Sequence, residues 1–246
     1  MPDLHSKNGH LLIMLCLAEI TTMLLFSSYA AVLPILQKEW QLTNTQAGWI
    51  FGSYQIGYLL AVILLTTMTD FVNPRYIYSA SAFFAGISGL LFSFGAHGII
   101  SAMVFRTMAG TGLAGTYMPG LKIIADNFPQ EKRGGVVGLY VGTFTLGVSL
   151  SLYLTGKLAA MFDWRSAFLF ASIGPLMGGF IGLAALRTNL LASPLVSNRK
   201  AFSLKKAISN KPVVAMILAY MAHCWELFGL RGWIVAFFTA VLITGG

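Results

Sequence analysis

Five ionisable side chains stand inside apolar stretches of this sequence: Glu19, Arg106, His223, Glu226 and Arg231. Their types and spacing could do chemistry. A charge at membrane depth is costly, so each must be paired, face water or bind something charged. Glu19 lies about 12 Å into its segment if that segment is helical, and Thr21 and Thr22 follow it. A carboxyl out of water prefers its neutral form, so it can take up and release a proton as its access to water changes. Arg106 lies about 10 Å deep. Arginine keeps its charge and needs a carboxylate, a cluster of carbonyls or an anionic ligand; Glu19 is one candidate partner. His223 and Glu226 are three positions apart and share a helix face. An imidazole beside a buried carboxylate makes a proton site near neutral pH. Arg231 joins that pair only if the helix breaks at Gly229-Leu230-Arg231-Gly232. Each residue also has a plainer reading, as a structural pair or an interfacial charge.

The elements that must position these residues are membrane spans. Of 246 residues, 57% are hydrophobic and only 10% charged, with a mean hydropathy of +0.75. That excludes a soluble domain, whose surface needs far more charge. The composition predicts an all-α integral membrane protein, since each crossing takes about 20 apolar residues. Seven segments qualify, near 11–36, 47–69, 76–96, 99–122, 135–156, 165–187 and 212–243. The one long connection, 188–211, holds Arg199, Lys200, Lys205, Lys206 and Lys211. It reads as a basic cytoplasmic linker with a surface helix near 203–210, dividing a six-helix bundle (1–187) from the first helix of an incomplete second bundle (212–246).

With the N-terminus cytoplasmic, the inner links hold 11 Lys and Arg, among them Lys7, Arg75, Lys122, Lys132, Arg133 and Arg187. The outer links hold 3, namely Lys38, Lys157 and Arg165. That asymmetry sets the orientation. It also accounts for the net charge of +8 without nucleic acid, for which no basic-aromatic surface exists. Cys16 and Cys224 lie apart in apolar segments, so neither a disulfide framework nor a metal site is expected. The first apolar segment is too long for a cleavable leader.

Local signals agree. Thr43-Asn44-Thr45-Gln46 reads as a capping box opening the second span. Trp40 and Trp49 suit the outer interface. Gly134, Gly138 and Gly142 form a ladder at the spacing that lets helix backbones approach closely. The last span runs 32 residues from Pro212 to Ile243, or about 48 Å, longer than the bilayer core. It either projects or breaks near Gly229.

Four stretches resemble the major facilitator superfamily (MFS) of secondary transporters. The link Thr66-Thr67-Met68-Thr69-Asp70-Phe71-Val72-Asn73-Pro74-Arg75 is similar to G-x-x-x-D-x-x-G-(R/K)-R. Asp70 and Arg75 match it, while Thr66, Asn73 and Pro74 depart from it. Arg106-Thr107-Met108-Ala109-Gly110-Thr111-Gly112 matches R-x-x-x-G-x-G in full, and Pro119, Asp126, Phe128-Pro129 and Arg133-Gly134 follow. The fifth span lacks the Gly-Pro pair of many drug/proton antiporters. Asp163-Trp164-Arg165 opens the sixth, and Leu33-Pro34-Ile35-Leu36 with Trp40 closes the first.

The resemblance implies an MFS-type helical bundle, with seven transmembrane helices present of an expected total of about twelve, each six-helix half a 3+3 inverted repeat. It implies a transporter of a small solute, cycling by alternating access and coupled to protons. Its implied surroundings are the lipid bilayer of a bacterial inner (plasma) membrane, its C-terminal bundle lies outside this sequence, and it uses no cofactor or metal. Glu19, Arg106, His223, Glu226 and Arg231 would contact substrate or protons. Asp70, Arg75, Gly110, Gly112 and Arg133 would belong to the gating motifs, with Asp70 and Arg75 able to pair across their turn. Two arginines against few carboxylates suggest an organic anion as cargo. Two other classes are compatible with parts of the sequence. A truncated, non-transporting fragment is one. The other is an intramembrane serine protease, for which Gly86-Ile87-Ser88-Gly89 resembles the rhomboid G-x-S-G and His223 is the one deeply placed base.

Overall fold

The structure is a computed structural model describing residues 3–185 and 209–244. Every described element is a helix: α1 (Asp3–Met23), α2 (Ser28–Glu39), α3 (Asn44–Met68), α4 (Pro74–Gly95), α5 (Ile99–Asn127), α6 (Gln130–Met161), α7 (Trp164–Ala185) and α8 (Lys211–Thr244). In lipid every backbone polar group must be satisfied within the chain, and helices do this locally. Two compact units result, Met1–Ser193 and Pro194–Gly246. The linker residues Arg187, Arg199, Lys200, Lys205 and Lys206, and positions 203–208 of the expected surface helix, lie outside the described residues.

Six stretches are long and apolar enough to cross a membrane. The α5 helix is long enough at 29 residues, yet it is not among them. It carries Arg106, Lys122 and Asp126 amid glycine, alanine and threonine, and it packs against both α3 and α4. A helix held among its neighbours needs less apolar surface than one facing lipid.

In the first unit α1 and α2 together make the first span, and α3, α4, α5, α6 and α7 the next five. The second span packs on the fourth, the third on the fourth and sixth, and the first on the fifth and sixth. Exchanging the first three spans for the last three leaves these contacts unchanged, although the fifth and sixth spans also pack together to an extent that the second and third do not match. An odd number of crossings per half inverts the second half, as a 3+3 inverted repeat requires.

The first span departs from the single helix expected over 11–36. It breaks at Leu24–Ser27. A continuous helix would give the Ser27 N–H to Met23 and the Leu24 carbonyl to Ser28. Instead the Ser151 hydroxyl of α6 accepts from the Ser27 N–H at 3.0 Å and donates to the Leu24 carbonyl at 2.5 Å. Ser28 Oγ donates to the Leu25 carbonyl at 2.8 Å. Buried hydroxyls thus replace the water that a break in lipid lacks. Gly147, one turn before Ser151, lets α6 come close: a Cβ there would stand 2.7 Å from Met23 Cβ.

Polar contacts gather at the two ends of this unit. At one end Asn8 Nδ2 donates to the Asn127 carbonyl at 3.1 Å, and Lys122 meets Asp70 at 2.6 Å. At the other, Trp164 Nε1 donates to Glu39 Oε2 at 2.6 Å, and Arg165 donates to the Ser93 carbonyl at 2.9 Å. The capping box at Thr43 forms as expected. Trp40 packs edge-on against Trp164 at 5.4 Å, so its ring serves the bundle. Gly134, Gly138 and Gly142 have no heavy atom within 4 Å of where a Cβ would stand, so the expected close helix partner is not among the described residues.

In the second unit α8 is one continuous helix of 34 residues. The break considered at Gly229–Gly232 does not occur, because nothing in that segment interrupts the helical backbone. Arg231 therefore stays about 140° around the helix from Glu226.

Candidate functional site

Arg106 sits one turn before Gly110 on α5. A Cβ on Gly110 would overlap the Tyr54 carbonyl of α3, and one on Gly112 would stand 2.8 Å from Ala85 Cβ of α4. The two glycines thus bring two neighbouring backbones against α5. The Tyr54 ring then lies under the Arg106 guanidinium, 4.4 Å from Cζ to ring centre, and the Tyr29 ring of α2 lies at 5.5 Å. Tyr29 is fixed in turn, its hydroxyl donating to the Ala47 carbonyl at 3.1 Å. Arg106 is 2% exposed, and its Nε and Nη1 are buried without hydrogen-bond partners, as is the Tyr54 hydroxyl. Tyrosine faces offer a guanidinium electrostatic attraction but no acceptor atoms, so buried donors are left over at one place.

Glu19 is 0% exposed on α1. The Tyr140 hydroxyl of α6 donates to its Oε2 at 2.8 Å, and its Oε1 has no partner. Tyr140 fits because α5 has glycine opposite: a Cβ on Gly120 would overlap the Tyr140 hydroxyl. The titratable groups facing Glu19 are Cys16 on its own helix, Tyr54 on α3, Tyr78 on α4 and Tyr140 on α6. All are neutral near pH 7 at their ordinary values. A dry, half-satisfied carboxyl among neutral groups can hold a proton and yield it when water or a cation arrives. Glu19 and Arg106 are not ion-paired with each other, contrary to the pairing considered from the sequence; tyrosine rings surround each instead.

The sequence model of the Major Facilitator Superfamily matches residues 15–246. The chain belongs to that superfamily. It is 27% identical over 186 residues to an uncharacterised MFS-type transporter of Methanocaldococcus jannaschii, covering 73% of this chain and 45% of that protein. It is 25% identical over 233 residues to the hexuronate transporter of Bacillus subtilis, covering 90% and 54%. The benzoate transport protein of Acinetobacter baylyi is 22% identical over 150 residues, covering 59% and 32%. Among solved structures, a bacterial homologue of the human lysosomal transporter Spinster, inward-facing and occupied, superposes with a TM-score of 0.76 at 19% identity. That match covers 95% of this chain and 54% of the other, and it shows the fold. The chain spans about half the length of the relatives it matches.

The superfamily motifs read as packing and end contacts. Asp70 pairs with Lys122 of α5, whose Nζ also donates to the Thr69 carbonyl at 2.7 Å and to Thr69 Oγ1 at 3.1 Å. Arg75, the partner considered for Asp70, starts α4 beside the Asn73 cap, with its Nε buried and unpartnered. Arg133 Nε donates to the Phe128 carbonyl at 2.9 Å, closing the turn between α5 and α6. Ser88 is spent on its own helix, donating to the Phe84 carbonyl at 2.6 Å, and Gly86 and Gly89 pack against Leu176 and Leu25. Small residues in a helix interface explain that run without serine chemistry. On α8, His223 and Glu226 are exposed and one turn apart.

Sequence reasoning missed Tyr29, Tyr54, Tyr140 and Ser151, and placed Lys122 among the inner charges without its pairing to Asp70. A tyrosine in an apolar run reads as lipid-facing or interfacial. The one available signal was their shared need for a polar partner when buried.

Proposed function

We propose that this chain is the first bundle, with the following helix, of a secondary transporter that moves a small organic anion by alternating access and couples that movement to protons. In this reading the N-terminus is cytoplasmic and the membrane is a bacterial inner membrane, as the distribution of Lys and Arg suggests. Glu19 is the proton site and Arg106 the anion site. His223 and Glu226 on α8 form a second proton-binding pair, and Arg231 faces elsewhere on that helix. Asp70, Arg75 and Arg133 act in the superfamily's gating motifs.

The observation that carries this reading is the pair of buried, unmatched charges. Glu19 has one buried oxygen, and Arg106 two buried nitrogens, without a hydrogen-bond partner. Leaving such groups unsatisfied costs about 1–3 kcal/mol each, which is tolerated where a proton or a ligand completes the set. The names of the hexuronate and benzoate transporters among the relatives agree with a carboxylate cargo.

The test is uptake of radiolabelled glucuronate and benzoate by the full-length protein in proteoliposomes, with and without an imposed pH gradient. Gradient-driven uptake should be lost in Glu19→Gln and reduced in Glu226→Gln. Arg106→Gln should raise KM for the carboxylate. Uptake by Glu19→Gln equal to that of the parent at every pH would refute the coupling assignment.

A further inference from the structure

The two charged sites are joined by rings. The Tyr54 ring that carries Arg106 meets Phe26 edge-on at 5.5 Å. Phe26 meets Phe144 at 5.7 Å, Phe144 meets Tyr117 at 5.2 Å, and Tyr117 stacks on Tyr140 at 5.9 Å. Tyr140 holds Glu19. Aromatic contact therefore runs without a gap from Arg106 to Glu19 through five rings, and Phe26 is the ring next to Tyr54 on that path.

Phe26 lies within the break between α1 and α2. Its N–H goes to the Met23 carbonyl at 3.0 Å in a three-residue turn, not to Thr22 as in a regular helix. The bond pattern that lets the chain turn this way is completed by the hydroxyl of Ser151, 1% exposed, which takes one backbone group on each side of Phe26. Tyr140, Phe144, Gly147 and Ser151 recur at helical spacing and share one face of α6. That face touches Glu19, Phe26, Ile20 with Met23, and Leu24 with Ser27 in turn. One helix face thus sets both the carboxyl's hydrogen bond and the geometry of the break.

We propose that Ser151 is a positioning residue for coupling: by holding the break at Leu24–Ser27 it seats Phe26 between the Arg106 and Glu19 sites, so that occupancy of one site is felt at the other. This rests on the transport reading above, and the experiment separates the two. Without the hydroxyl, the Leu24 carbonyl and the Ser27 N–H have no water to turn to. The segment must then rewind into helix or fray, and either moves Phe26.

Ser151→Ala, Ser151→Cys and Ser151→Thr are compared with the parent and with Glu19→Gln, in the full-length protein. Amide hydrogen exchange over 24–28 needs no cargo. It should rise about tenfold in Ser151→Ala, the scale expected for losing one buried partner, and stay at the parent level in Ser151→Thr. Uptake of glucuronate and benzoate should show kcat lowered about tenfold, KM within about twofold and a flattened pH profile in Ser151→Ala, with all three restored in Ser151→Thr. Should Ser151→Ala fail to fold, Ser151→Cys carries the test: a thiol fills the site but donates weakly, so its exchange and kcat should fall between parent and the expected alanine values. Parent-like exchange and pH profile in Ser151→Ala or Ser151→Cys would overturn the proposal. A parent-like profile in Glu19→Gln refutes the transport assignment of Glu19, whatever the serine variants do. An altered profile in Glu19→Gln beside an unaltered one in Ser151→Ala refutes the positioning role alone.

Discussion

The Arg106 guanidinium stands 4.4 Å above the centre of the Tyr54 ring, and the ring's own hydroxyl is buried without a partner. The face of the tyrosine does electrostatic work while its polar tip does none for the resting protein. Tyr54→Phe keeps the face and removes the unsatisfied hydroxyl, so its melting temperature in detergent should equal or exceed the parent's. Tyr54→Leu removes the face and should destabilise by about 1–2 kcal/mol. A Tyr54→Phe variant as unstable as Tyr54→Leu would show that the hydroxyl, not the ring, supports Arg106.

Two glycines of similar context in sequence should respond oppositely to the same substitution. Gly110 abuts the Tyr54 carbonyl, so Gly110→Ala forces α5 away from α3 and should cost about 1–3 kcal/mol. Gly138 has open space where a Cβ would stand, so Gly138→Ala should be neutral or stabilise by about 0.5–1 kcal/mol through helix propensity. Thermal unfolding of the two variants in one detergent decides it. Equal losses would mean that α6 is packed where the structure leaves it open.

Much of the architecture was legible because its causes are local. Length and hydropathy located the spans, the capping box at Thr43 formed, and R-x-x-x-G-x-G marked the helix that packs against two others. The break at Leu24–Ser27 was not legible, because no glycine or proline stands in it. The hydroxyl that makes it tolerable lies 124 residues from Ser27. The environment of Glu19 was hidden for the same reason: Tyr140 is 121 residues away, and nothing in its neighbourhood of apolar and glycine residues marks it as a donor. Charged residues announced themselves one by one; the partners of Glu19 and Arg106 are neutral and distant, brought to them by the packing of α6 on α1 and of α2 and α3 on α5.

Lys122 and Asp70 form a partly exposed pair, with side chains 20% and 43% accessible. Solvent screening limits such a pair to about 0–1 kcal/mol. Asp70→Asn should therefore lower stability by less than about 1 kcal/mol. Lys122→Ala should cost more, because it also strips the Thr69 carbonyl of a donor. A double-mutant cycle read by thermal unfolding gives the pair's own share. A coupling above about 2 kcal/mol would contradict the exposure of the site.

Asp163 lies outside the spans, where it caps α7. Its Oδ1 accepts from the Ser166 N–H at 2.8 Å, and its Oδ2 accepts from the Ser166 hydroxyl at 3.0 Å. The Ser166 N–H is the main reason that its carboxyl is held below the ordinary range; slight burial opposes this, and the Ser166 hydroxyl and nearby Arg165 add to it. A carboxyl with a depressed value in the folded state stabilises that state wherever it is ionised. The contribution is complete above the unfolded value of about 3.9 and disappears as pH falls through the lower folded value. Asp163→Ala should therefore melt below the parent by a margin that is constant between about pH 5 and 8 and that closes below about pH 4. Differential scanning of parent and variant across that range measures it. A margin that widened on acidification would mean that the protonated acid, acting as a donor, is what holds the start of α7.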